Sequence, residues 1–209
     1  DPTVMRVGGE LSGGTLALDA LEQMTFNSND VNARTMRLLA DNLGVISMTS
    51  LTDVFQGAGN SLIEFEADDE GTFLLDALDI ARQLYFDVNG FSVVELTGFT
   101  QTLTDSVIEV EIGSAFTTAL ADSWNQVEVT ADGFVGGGSL SSIVDSVIRL
   151  QGESTLNVPN LTAMTSTDGS ALLHVLNVAT LNAGSLSDIT NLQIVAEAGG
   201  LVPLPSVQS

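Results

Sequence analysis

The sequence predicts an all-β fold, a right-handed parallel β-helix solenoid of about ten coils formed by residues 1–209 as one repeat array. Three observations lead there. A small polar pair, then an apolar residue, then a second apolar residue three places on, recurs along the chain every 17 to 25 residues. The apolar segments are short and bounded by Gly, Ser, Asp and Asn, the punctuation of strands and tight corners. Prolines fall inside two of these segments, "LNVPNL" and "VPLPSV", where a helix interior would reject them.

Taken in order, the repeat is anchored at Val4, Met24, Leu43, Leu62, Leu84, Val107, Trp124, Val147, Leu172 and Leu192. It is clearest in "DNLGVISM", "NSLIEFEADDEG" and "DSVIRLQGE", and in residues 99–133, which say nearly the same thing twice. There Phe99, Leu103, Asp105, Ser106 and Val107 are followed by Phe116, Leu120, Asp122, Ser123 and Trp124. On this phase Leu43, Leu62, Val107, Trp124, Val147 and Leu192 are expected to point inward as one column. Asp105, Asp122 and Asp145, each two residues before an anchor, are expected to stack along one edge. Between anchors lie second apolar blocks such as "GTLALDALEQM" and "GTFLLDALDIA"; their Leu-x-x-Leu spacing makes 17–24 and 74–84 the places where helical turns are expected. A unit this short cannot bury a face alone and must stack on its neighbours. A leucine-rich-repeat-like horseshoe accommodates the same period, but its Asn after Leu-x-x-Leu-x-Leu does not recur. A two-sheet sandwich leaves the fixed phase unexplained.

Charge narrows the function. There are 27 acidic residues against 5 basic, all arginine, and a net charge of -22. Such a chain is repelled by nucleic acid and by anionic membrane surfaces. It has no cysteine, which removes disulfides, thiolate metal sites and cysteine nucleophiles. No apolar run reaches the 18 residues of a membrane span, so no membrane insertion is expected.

Candidate chemistry is sparse. His174 is the only histidine, and no nucleophile signature accompanies it. The corner "EFEADDEG" gathers Glu66, Asp68, Asp69 and Glu70, oxygen ligands of the kind calcium takes, without the Asp-x-Asp-x-Asp-Gly order of an EF-hand. "NSNDVN" at 27–32 and "DVNG" at 87–90 are weaker versions. If Asp105, Asp122 and Asp145 stack at strand spacing, their repulsion calls for either local backbone hydrogen bonds or calcium ions bridging successive coils. Paired carboxylates for cleaving polysaccharide lack the nearby Lys or Arg that uronate substrates need, so no enzymatic activity is expected. Phe91, Tyr85, Trp124 and Phe134 could stack on glycan if exposed in a row, although Trp124 at an anchor reads as core. An ice-binding face would repeat Thr-x-Thr in every coil, and "TLT" at 102–104 is isolated.

At "STLNVPNLTAM" (154–164) and "AGGLVPLPSV" (198–207) the chain resembles the Gly-Gly-x-Leu-x-Leu-Pro-x-Leu-Thr units of very large secreted surface solenoid proteins of planctomycetes and similar environmental bacteria. The resemblance covers roughly 154–209 and is diluted over 1–153, where Asp or Glu stands for Pro, as in "LALDAL". It implies an extracellular or cell-surface protein and brings no catalytic residues. "TVMRVGGE" opens a coil without a cap and "LVPLPSVQS" opens one it does not finish, so a segment of a longer solenoid or a polymerising subunit is expected. The expected function is structural, in a fibre, stalk or surface layer joined end to end. The rival is an adhesin-like module holding glycan or protein on its long face, which a row of exposed aromatic or apolar residues would favour.

Overall fold

The computed structural model describes residues 3–7, 13–26, 35–56, 62–78 and 81–202. All its regular structure is β, and every strand pairing is parallel. The chain winds through three faces in turn. The first face holds nine strands, from Thr3–Val7 through Thr35–Ala40, Leu62–Ala67, Leu84–Val88, Val107–Val110, Glu128–Ala131, Val147–Leu150 and Leu172–Leu176 to Gln193–Glu197. The second holds eight three-residue strands, from Thr15–Ala17 to Thr180–Asn182. The third holds six, from Ala81–Arg82 to Asp188–Thr190, with a separate pair, Gln23–Phe26 and Asp53–Gln56, in the early turns. This is a parallel β-helix, with one core enclosed by three sheets rather than the single open sheet of a horseshoe.

The count of coils is corrected. Six turns are closed by all three continuous sheets, and the first face reaches nine strands, short of the ten expected. The cause is a slip of phase. Val107 lies on the first face, whereas Trp124 lies on the third, paired with Leu103 and Ile143. The counterpart of Val107 one turn on is Glu128, 21 residues away rather than 17. Met24 likewise lies on a third-face strand of the turn that Val4 already marks.

The expected inward column is corrected as well. Val107 and Val147 share a column with Glu64, Tyr85, Glu128, Leu172 and Gln193, and its members are half-buried or exposed on the outer surface. The inward column lies one residue later: Leu38, Phe65, Phe86, Ile108, Val129, Ile148 and Leu173, all buried. Strand alternation sends neighbours to opposite sides, so a slip of one residue inverts the assignment. Leu43 is 52% exposed at a corner. Of the six anchors, Trp124 alone is fully buried. Phe65 stacks on Phe86 of the next turn at 5.4 Å and meets Phe73 of its own turn edge-on at 5.5 Å, so aromatic rings knit the core both along and across the solenoid.

No helical turns occur in 17–24 or in the described part of 74–84, since residues 79 and 80 lie outside the described set. The Leu-x-Leu-x-x-Leu spacing there serves a corner instead. In "LNVPNL", Leu156 ends inward from the second face, Val158 begins a turn, and Leu161 N–H closes it on Val158 O at 3.0 Å. Pro159 occupies the second position of that turn, where its fixed φ fits and no N–H is needed. Leu18 to Leu21 and Met48 to Leu51 close the same way.

Candidate functional site

The corners and outer faces decide what the solenoid can present. In five turns the corner between the third and first faces is a single left-handed residue, Gln83, Asp105, Gln126, Asp145 or Asn191, each with φ near +50°; before Leu172 it is instead the longer segment 166–171. Asp105 and Asp145 therefore share a column with Gln126 between them, two turns or about 10 Å apart. Asp122 lies at the other end of its third-face strand, where its carboxylate accepts from Ser141 Oγ at 3.2 Å. The three aspartates do not form a continuous stack, so the repulsion that called for bridging ions does not arise. Asp145 accepts from Thr167 N–H at 2.6 Å and Thr167 Oγ1 at 2.8 Å, and these bonds hold its carboxyl below the ordinary value.

At the corner between the first and second faces, Asp68 Oδ1 accepts from Asp69 N–H at 2.8 Å, and Asp69 and Glu70 both take left-handed φ, as in a type I′ turn. Glu66 is buried on the first face against Arg37, which also faces Glu64 at 3.8 Å. Among the described residues no group of three or more His, Asp or Glu side chains is placed to hold a metal ion. "NSNDVN" lies outside the described residues. His174 faces outward on the first face, 3.8 Å from Glu197.

Glu66, Asp87 and Glu109 occupy adjacent turns of one outer column of the first face, with Glu64 and Tyr85 beside them. Tyr85 donates to Glu109 at 2.5 Å. Burial pushes Glu64 up, against the pull of Arg37; burial also pushes Asp87 up, against its hydrogen bond from Asn89. Burial and the surrounding carboxylates raise the Tyr85 hydroxyl. A shallow cavity of about 370 Å³ opens here, lined by Asp87, Glu109, Glu111 and Asp132.

The corner between the first and second faces carries most of the exposed large apolar residues, with Leu120 set apart at the corner between the second and third. Phe91 (69% exposed), Ile112 (64%) and Phe134 (38%) lie on three successive turns. Of the aromatics singled out in the sequence, the structure brings Phe91 and Phe134 to this edge. Tyr85 is half-buried on the acidic face and Trp124 is in the core. Beside Phe134 the corner is cut short. Four residues link Val110 to Ala115 and Leu150 to Thr155, but only Asp132 and Gly133 link Ala131 to Phe134. The shortfall leaves a notch of about 360 Å³ lined by Ile112, Asp132, Phe134, Glu153 and Thr155. Ile112, Asp132 and Glu153 drew no notice in the sequence. Their signal is the contraction of "VEIGSA" to "ADGF", visible only once the turns are aligned.

Fold and surface together define a β-solenoid with an acidic flank and one apolar corner. The chain matches no protein-family model, no curated protein and no solved structure.

Proposed function

We propose that this chain is a structural solenoid of an extracellular bacterial surface assembly, joined end to end to further turns of the same kind. The observation that carries the reading is the state of the two ends of the described core. Leu16, Leu18, Leu21, Met24 and Met36 at one end, and Ile189, Leu192, Ile194 and Val202 at the other, are only partly buried, while the inner turns between them are sealed. Strands at both ends share one parallel register direction, so another turn can add to either end by backbone pairing over apolar contacts. The likeness of 154–164 to secreted surface repeats supports the location, and the charge of -22 keeps parallel rods apart sideways.

The test is sedimentation velocity with negative-stain microscopy across protein concentration. Rods lengthening in steps of one molecule are expected, with Ile194→Glu abolishing growth while leaving the β circular dichroism intact. A monomer that stays inert at high concentration, in salt and with calcium, overturns the reading.

A second reading, a binding module for glycan, draws on the exposed row Phe91, Ile112 and Phe134. Exposed apolar rows rimmed by polar residues mark interaction surfaces.

A further inference from the structure

We propose that the notch between Ile112 and Phe134 binds an amino-sugar unit of a polysaccharide running along the solenoid axis, an inference that rests on the binding-module reading. The notch is a defect in an otherwise regular ladder. In the turns before it, Ser92 Oγ accepts from Gly71 N–H at 3.0 Å and Ser114 Oγ accepts from Ser92 N–H at 3.1 Å. Ser154 holds the equivalent place after the short corner, but Gly133, which stands where the donor would, gives its N–H to Val110 O at 3.2 Å. The Ser154 hydroxyl is left buried without a partner; it does not itself line the notch, whereas its neighbours Glu153 and Thr155 do.

The lining selects the ligand. Phe134 and Ile112 offer an exposed apolar surface on which the C–H face of a sugar ring packs. Asp132 and Glu153, when ionised, only accept hydrogen bonds, so the bound group must donate. The nearest arginine in sequence and register, Arg149, is engaged with Glu128 on the first face. The adjoining cavity adds Asp87, Glu109 and Glu111. A cationic ammonium beside ring hydroxyls complements this lining; a uronate or sulfated sugar is repelled. Phe91 stands one turn beyond Ile112, so successive sugar units can follow successive turns, which are about 4.8 Å apart.

Titration calorimetry at physiological salt tests this with three soluble tetramers: β-linked glucosamine, β-linked N-acetylglucosamine and galacturonate. The glucosamine tetramer is expected to bind and the galacturonate tetramer to give no heat. Phe134→Ala, Ile112→Ser and the double variant Asp132→Asn/Glu153→Gln should each weaken binding about tenfold or more. Asp105→Asn/Asp188→Asn, which removes the same charge elsewhere, should change it less than about twofold. Equal weakening by the two charge variants reduces the effect to bulk attraction and overturns the site. Tight binding of the N-acetylated tetramer, indifferent to Asp132→Asn/Glu153→Gln, overturns the amino-sugar assignment while leaving glycan binding standing. Silence from all three tetramers overturns the assignment and the binding-module reading together.

Discussion

Ser146 Oγ accepts the N–H of Val127, one turn earlier, at 3.0 Å, while donating to Val144 O at 2.8 Å. Ser106 does the same for Leu84, at 3.2 Å, and Thr104. The left-handed residue before each of these N–H groups turns it out of the strand ladder, and the buried serine of the next turn receives it. Ser146→Ala therefore leaves a buried donor without a partner and should cost about 1–3 kcal/mol in denaturant unfolding. Ser106 lies two turns from Ser146, so the double variant should be near additive.

Ile108 and Val107 are neighbours with opposite fates. Ile108 is sealed in the core and Val107 is half-buried on the outer face. Ile108→Asp should abolish the cooperative transition, because several kcal/mol of buried, unpaired carboxylate has no compensation there. Val107→Asp should shift the midpoint only slightly. Circular dichroism melts of the two variants side by side make the comparison.

The Phe91 ring lies against Gly113 on the next turn, where a Cβ would stand 2.4 Å from the ring and the backbone φ is +81°. Gly113→Ala should destabilise by about 1–3 kcal/mol from the backbone alone, and more from the collision. Adding Phe91→Ala should recover the collision part and leave the backbone part, which a double-mutant cycle resolves.

Stability should rise on mild acidification. Glu64 and Asp87 are held above their ordinary values of 4.5 and 3.8 by burial. Their contribution is complete below those ordinary values and is lost as pH climbs through the raised ones. Asp19, Asp145 and Asp168 run the other way: hydrogen bonds from Ser47, Thr167 and Ser170 respectively lead in holding them below 3.8, so their contribution fades as pH falls through the depressed values. A melting midpoint that peaks at about pH 4 is expected. Asp87→Asn should flatten its rise between neutrality and that peak.

Much of the fold was legible in the sequence because a solenoid repeats its demands. Pro159 and the short apolar runs argued for strands and turns, and the structure has both there. The phase was not legible. On the first face, residues of both sides are apolar, as with Val107 and Ile108, so hydrophobicity does not mark the inward one. "DSV" and "DSW" look alike although the aspartate of one sits at a left-handed corner and that of the other closes a different corner. Phe91 and Phe134 could be named from their residue type. Asp132 and Glu153 could not, since what sets them apart is a corner two residues shorter than its neighbours, which has meaning only against a known register.

Where the third corner is a single left-handed residue, the turn is a self-contained cassette. Gln83, Asp105, Gln126 and Asp145 present the same backbone geometry to whatever follows. Excising residues 105–125 would join Thr104 to Gln126 with that geometry intact, and the strands on either side would close ranks in their existing register. Length is thus a free variable of this architecture: genes encoding such a chain can gain or lose whole turns by in-frame duplication or deletion, lengthening or shortening the rod without re-solving how it folds.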